Sequence, residues 1–321
     1  MDWKEQFILV TGGAGFIGSN LCEQLLTLGA RVRCMDNLLT GRLENLEKCR
    51  EFPTFEWMEG DICNPADCER ALFGITGVSH QAALGSVPRS IEFPHRTHEI
   101  NATGFLNMLH AAKMAGVRRF VYASSSSVYG DAVQLPKFEG EEGNPISPYA
   151  VTKKLNEQYA KVYADLHGME TIGLRYFNVF GPRQDPNGVY AAAIPRFLEK
   201  LRGNEAINVH GDGLQTRDFT YVKNAVQANV LSLSSENPEA FGLVYNVACG
   251  EAFSLLHVIE ALKKGLASKG IHSDSEIVLG PERAGDVKHS LASIARIGEL
   301  LNYQPVYTFQ EGVDAYIESL C

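Results

Sequence analysis

The 321-residue chain has no run approaching the ~18 consecutive apolar residues that cross a bilayer, so no membrane-spanning helix is expected. It also lacks any run of Lys or Arg. With 29 basic and 38 acidic side chains its net charge is −9, which argues against a nucleic-acid partner. Its cysteines (22, 34, 49, 63, 68, 249 and 321) are odd in number and never form CxxC, which fits neither a disulfide framework nor a zinc site. They read as buried thiols of a reducing, cytoplasmic compartment. The start, Met1-Asp2-Trp3-Lys4-Glu5, lacks the basic, apolar, small-residue order of a secretory signal. His95 and His98 stand three apart, but no matching ligand cluster accompanies them, and no metal is expected. They read as the first turn of a solvated helix that Pro94 opens. There is no internal repeat and no low-complexity segment.

What remains is ordinary globular composition, 45% hydrophobic and 21% charged, at a length that suggests about two domains. Through residue 176, short apolar runs alternate with helical patterns. Strands are expected at 7–10, 31–36, 55–58, 77–81, 119–124 and 171–176, with a helix over 16–28 ending at Gly29. This alternation predicts an α/β fold, a doubly wound parallel sheet of Rossmann type. After Gly181-Pro182 the pattern loosens, with short strands at 207–210, 244–247 and 276–279 and helices at 255–266, 294–301 and 309–320. The expected division is a dinucleotide-binding domain over 1–176 and a smaller mixed α/β substrate lobe over 177–321, with segments near 211–240 returning to the first domain.

Thr11-Gly12-Gly13-Ala14-Gly15-Phe16-Ile17-Gly18 follows the first strand and opens the first helix. Gly12 allows a tight turn and Gly15 lets a pyrophosphate approach the backbone. Gly18 is expected to let the helix sit close to the sheet, with free N–H groups facing the phosphates. Asp36 ends the second strand 18 residues after Gly18. A carboxylate there accepts both adenosine-ribose hydroxyls and repels a 2′-phosphate, so NAD is expected rather than NADP.

Ser147-Pro148-Tyr149-Ala150-Val151-Thr152-Lys153 begins a long helix, with Ser147 as its cap and Pro148 in its first turn. Tyr149 and Lys153, four apart, share a face. A free phenol, with pKa near ~10, is a poor base at neutral pH; an adjacent ammonium favours the phenolate. Tyr122-Ala123-Ser124-Ser125-Ser126-Ser127-Val128-Tyr129-Gly130 ends the fifth strand, where doubly wound sheets bind ligands. A hydroxyl there can share a proton with Tyr149.

TGGAGFIG, YASSSSVYG, SPYAVTK and RYFNVFGPR, in this order, resemble the extended short-chain dehydrogenase/reductase superfamily. More narrowly, residues 80–90, 175–197, 211–222 and 285–290 resemble bacterial UDP-N-acetylglucosamine 4-epimerases of surface-polysaccharide synthesis. The resemblance implies that Tyr149 takes the sugar O4 proton, that Lys153 holds the nicotinamide ribose, and that Ser125 is the catalytic hydroxyl. It implies NAD contacts from Gly12, Gly15, Phe16, Ile17, Gly18, Asp36, Asn37, Asp61, Ile62, Gln81, Ala83 and Tyr176, besides Tyr149 and Lys153. It places the UDP-sugar against Ser86, Asn178, Arg217 and Arg283, with the arginines near the diphosphate. Gly85, Ser127 and Gln184 line the rest of the sugar pocket. It also gives Ser290 a part in choosing the sugar, since a bulky Tyr at that position in the family restricts binding to plain hexoses. Finally it implies a homodimer through a four-helix bundle of helices near 94–115 and 148–167.

Dehydratases and decarboxylases share this scaffold. Dehydratases need an acid–base pair directly after the catalytic hydroxyl, where this chain has Ser126 and Ser127; the Glu that decarboxylases keep in this stretch is also absent. Oxidation at C4 and re-reduction on the opposite face remain, an isomerase reaction. The expected substrate is UDP-GlcNAc/UDP-GalNAc. The alternative is a UDP-uronic acid, whose carboxylate wants a cation such as Arg89 or Arg183.

Overall fold

In the computed structural model, which describes residues 1–186, 191–281 and 288–320, strand β1 (Phe7–Thr11) is buried along its whole length. An unbroken apolar run is buried this way when helices cover both faces of a sheet. Helix α1 (Phe16–Thr27) leads from it to β2 (Arg31–Asp36), and β3 (Phe55–Glu59) and α2 (Pro65–Ala71) lead to β4 (Gly77–His80). Short helices α3 (Val87–Glu92) and α4 (Pro94–His98) precede α5 (Phe105–Met114) and β5 (Arg119–Ser125). The long α6 (Pro148–His167) and β6 (Glu170–Tyr176) complete the regular alternation. Ser147 caps α6 by accepting from the Ala150 N–H, and Gly168 ends it in the left-handed conformation at φ 63°.

The remaining chain forms β7 (Val179–Phe180), α7 (Ala193–Arg202), β8 (Ile207–His210), β9 (Thr216–Arg217), β10 (Thr220–Tyr221) and α8 (Val222–Ser234). After them come β11 (Leu243–Val247), β12 (Phe253–Ser254), α9 (Leu255–Ser268), β13 (Ile277–Gly280), α10 (Ala295–Leu301) and α11 (Phe309–Glu318). No helix of the described residues is long and apolar enough to cross a membrane.

The main sheet is parallel and runs β11-β6-β5-β4-β1-β2-β3. Its strand order reverses between β1 and β4, the place where such sheets open a crevice. The sheet passes the boundary expected at 176: β11 pairs with β6 in register from Leu243↔Ile172 to Val247↔Tyr176. Helix α8 lies against α1 and strands β4 to β6. Outside the sheet, β8 pairs with β13, β9 with β12 and β7 with β10, while α7, α9 and α11 pack beside them. The helix expected over 94–115 is also interrupted, by a π-helical turn at Glu99–Gly104. There the Asn101 side chain turns to bind both backbone groups of Leu84, at 2.7 and 3.1 Å.

Candidate active site

A cleft of about 470 Å³ opens at the carboxyl ends of β1, β2, β4 and β5. The glycine loop forms one wall. Gly12 sits at φ +65°, and a Cβ there would meet the Ala82 backbone at 2.7 Å. A Cβ on Gly18 would collide with the Gly12 carbonyl and lie 2.8 Å from the Gly13 Cα. Gly18 therefore lets α1 pack on its own loop, a correction to the expected helix-to-sheet contact. Gly15 is the α1 cap and has no side chain to satisfy the first N–H groups of the helix. These unsatisfied donors, with the helix dipole, suit a pyrophosphate.

At the end of β2, the buried Asp36 accepts from the N–H groups of Ala14 (3.0 Å) and Leu38 (2.8 Å), tying the glycine loop to the second strand. Burial raises its pKa and these bonds oppose the rise. Asn37 lines the cleft and donates to Asp61 at 3.0 Å. Asp61 itself stands behind the lining and also accepts from the Cys63 N–H at 2.8 Å. Phe16, Ile17, Ile62, Gln81, Ala83 and Gly85 all line the cleft. Gln81 accepts from the Tyr176 hydroxyl at 3.0 Å, and Asn229 donates to that hydroxyl at 2.7 Å. The Gln184 amide oxygen is buried on the cleft wall with no hydrogen-bond partner among the described residues. Glycine crowding, free helix donors, a buried carboxylate and an orphaned acceptor together fit a dinucleotide.

Ser125, Tyr149 and Lys153 stand together on the opposite wall. Lys153 Nζ donates to the Ala123 carbonyl at 2.8 Å and lies 5.9 Å from the Tyr149 ring centre. Burial lowers the Lys153 pKa to about 8, and the negative charge of Glu157 pulls the other way. The Tyr149 phenol moves opposite to expectation. Burial raises its pKa, and the lowering influence is a hydrogen bond from Ser125 rather than the ammonium. Ser125 Oγ also accepts from the Ser127 N–H at 3.2 Å. Ser127 lies off the cleft lining, its own hydroxyl buried without a partner.

A second cleft of about 300 Å³ shares Asn178 and Val179 with the first. Ser86, Arg196, His210 and Arg217 line it, and no carboxylate does among the described residues. Arg196, on α7, was not singled out in the sequence; its place in a strongly amphipathic helix hid it. Asn178 is held at φ 37° and donates to the Asp218 carbonyl at 2.9 Å. Asp218 is fully buried and accepts from the N–H groups of Cys249 (3.0 Å), Gly250 (3.1 Å) and Ala292 (3.3 Å). Burial nonetheless raises its pKa to about 7. It thereby pins the segment carrying Ser290, whose N–H donates to the Thr216 carbonyl at 3.0 Å, next to Arg217. The Ser290 residue stands outside the lining of both clefts, and Arg283 lies outside the described residues. The loop after β7 reaches back over α1. Asn20 donates to the Pro182 carbonyl at 3.2 Å, Arg183 pairs with Glu23, and Arg42 pairs with Asp185 at 2.9 Å.

Comparison with known proteins places this geometry. A UDP-glucose 4-epimerase of Mycolicibacterium smegmatis is 35% identical over 313 residues, covering 97% of each chain. The solved structure of UDP-N-acetylglucosamine 4-epimerase from Methanobrevibacter ruminantium, in complex with UDP-N-acetylmuramic acid, superposes with a TM-score of 0.91 at 36% identity, covering 98% of each chain. That of UDP-glucuronic acid 4-epimerase from Bacillus cereus, with UDP-glucuronic acid and NAD, gives 0.89 at 31% identity, covering 98% of this chain and 100% of that one. With residues 8–248 also matching its pattern, the chain belongs to the NAD dependent epimerase/dehydratase family.

Proposed function

We propose that the protein is an NAD-dependent UDP-sugar 4-epimerase, an isomerase, and that its sugar pair is UDP-GlcNAc/UDP-GalNAc. One observation carries the reading. Ser125, Tyr149 and Lys153 share a wall of the glycine-loop cleft, and the one carboxylate in that lining among the described residues is Asp36. Asp36 lies three strands away on β2, about 14 Å at ~4.8 Å per strand. Among the described residues no acid lines the cleft beside Ser125 to drive loss of water or of CO₂. When bound, NAD supplies a reversible two-electron acceptor for the sugar C4. Tyr149 takes the O4 proton through Ser125 and returns it, Lys153 holds positive charge beside the phenolate, and Asn178 stands where the two clefts meet. In the second cleft, Arg196 and Arg217 suit a diphosphate that stays anchored while the sugar turns.

The two cations singled out for a uronate carboxylate lie elsewhere: Arg183 pairs with Glu23, and neither it nor Arg89 is among the described residues lining these two clefts. That favours a neutral sugar. The test is NMR of UDP-GlcNAc, UDP-Glc, UDP-GlcA and UDP-GlcNAcA, each incubated with purified enzyme and no added cofactor. UDP-GlcNAc should equilibrate with UDP-GalNAc fastest; faster turnover of a uronic acid overturns the sugar assignment. Ser290→Tyr should lower turnover of the N-acetylated pair by about tenfold or more while sparing UDP-glucose. Equal losses on both would remove Ser290 from the specificity account.

We also propose a homodimer through the faces of α4–α5 and α6, where Met114 (65% exposed), Val162 (48%) and Leu166 (72%) are uncovered. Light scattering should give twice 35.3 kDa. A monomeric mass at micromolar concentration would reject it.

A further inference from the structure

Three consecutive residues at the end of β5 are each tied to a different residue of α6. Lys153 donates to the Ala123 carbonyl at 2.8 Å, Ser124 donates to Glu157 at 2.6 Å, and Ser125 shares the cleft wall with Tyr149, whose pKa its hydroxyl lowers. Tyr149, Lys153 and Glu157 are spaced four apart, so all three project from one face of the helix. Two of these ties involve groups already given roles in the reaction; the third does not. Glu157 lies behind the cleft, 7% exposed, and lines no part of it. Its carboxylate also takes a two-pronged bond from Arg175 of β6, at 2.8 and 2.9 Å. Arg175 is 1% exposed and is the register partner of Ser124 across the sheet. Its remaining nitrogen bonds Glu142, which also receives Lys154 at 3.0 Å. The cluster therefore holds charges of both signs, fully hydrogen-bonded, directly beneath the reacting groups.

We infer that Glu157, with Arg175 and Ser124, is a positioning residue for the reaction: it locks the end of β5 to α6 and sets a carboxylate one turn from Lys153 on the same helix face. The inference rests on the roles proposed above for Ser125, Tyr149 and Lys153. The geometry gives Glu157 two separate effects. Through Ser124 it fixes the backbone of β5 immediately before Ser125, and so the distance from the Ser125 hydroxyl to the phenol. Through space it opposes the burial that lowers Lys153. The other groups facing Lys153 cannot substitute for it. On β4, His80 is held by burial and by the Lys153 charge at about 3, and is neutral at working pH. On β5 the uncharged Ala123 carbonyl accepts from Lys153, and Tyr149 is the neighbour one turn back on α6. Around Glu157 itself stand Arg175 on β6, Tyr122 and Ser124 on β5, and Lys154 on its own helix at 3.7 Å, with Glu142 beyond them. Removing the Glu157 charge leaves Arg175 nearer to Lys153 in net effect, with Glu142 as its one remaining anionic partner among the described residues.

The sign follows. Lys153 is charged below its pKa, so turnover that needs the ammonium is lost as pH rises through that value. Without Glu157 the loss begins at lower pH.

The experiment measures kcat, KM and the pH profile of kcat for the NAD-loaded holoenzyme with UDP-GlcNAc, in Glu157→Gln and Ser124→Ala. The expected result for Glu157→Gln is a fall in kcat of about tenfold near neutral pH, with KM and bound NAD unchanged. The alkaline limb of kcat should move toward neutral by about one pH unit. A residue serving only the fold would lower the melting temperature and leave the limb where it was. Ser124→Ala removes the tie and spares the charge, so kcat should fall about threefold with the limb unmoved. A folded Glu157→Gln enzyme whose pH profile superimposes on the wild type overturns the inference. Should Glu157→Gln fail to fold, Ser124→Ala decides, and wild-type kcat in that variant overturns it. Tyr149→Phe measured in parallel separates the two levels. Undiminished turnover there sinks the reading of the site, whereas inactive Tyr149→Phe beside wild-type-like Glu157→Gln and Ser124→Ala sinks the positioning role alone.

Discussion

Tyr149→Phe leaves the fold and the bound NAD intact and lowers kcat by about 10²–10⁴-fold, the range that a positioned acid–base group contributes. The phenol is half-buried and lines the glycine-loop cleft with Ser125, so in the proposed mechanism its loss removes the group that exchanges a proton with O4 and opens little space. KM for the UDP-sugar should change far less than kcat, because the proposed diphosphate anchors, Arg196 and Arg217, line the second cleft and are untouched by the substitution. Interconversion of UDP-GlcNAc and UDP-GalNAc followed by NMR, with a melting curve as the control for folding, provides the measurement. A loss of less than about tenfold would mean that another group handles the proton.

Gly18→Ala has the second large effect, on the cofactor rather than the chemistry. The added methyl meets the Gly12 carbonyl and the Gly13 Cα, both backbone, so neither can rotate away. Relief requires α1 to withdraw from the glycine loop, which moves the helix donors that suit a pyrophosphate. Overpacking of this kind costs about 1–3 kcal/mol in stability. NAD should no longer copurify, as read from the absorbance of the denatured protein's supernatant, and the melting temperature should drop. Gly85→Ala is the matched control: a Cβ there has nothing within 4 Å, so stability and NAD content should hold. Full NAD occupancy in Gly18→Ala would show that the loop tolerates a wider turn than its geometry implies.

The parts of the molecule legible in the sequence are those governed by local rules. An all-apolar strand, three glycines and a helix-capping serine each specify their own conformation, and β1, α1 and α6 form where the pattern places them. Long-range pairing is not written locally. Leu243–Val247 reads as one more short strand of the second lobe, and only its register with β6 makes it the edge of the main sheet. The π-helical turn is invisible for a related reason. Apolar spacing continues through residues 99–104, while the deviation arises from Asn101 bonding Leu84, a residue seventeen positions away. The second cleft was partly legible: Ser86, Asn178 and Arg217 fall on it, whereas Arg196 is masked by the periodicity of α7. Two-residue strands such as β9 and β10 carry too little pattern to announce themselves, yet they place Arg217 and Asp218. Asp218, placed between those two strands, anchors three backbone amides.

The loop that crosses back from β7 to α1 bears on the economy of the catalyst. Its contacts with Asn20, Glu23 and Arg42 join the segment proposed to meet the sugar nucleotide to the helix proposed to cradle the dinucleotide. An oxidoreductase that consumes its coenzyme needs an exit for it after every turnover. A reaction that closes its own electron balance does not, and a fastened strap then becomes an advantage, because it makes the coenzyme a resident part rather than a visitor. Two of the three fastenings are ionic, so concentrated salt, rather than dilution, is the condition that loosens the resident.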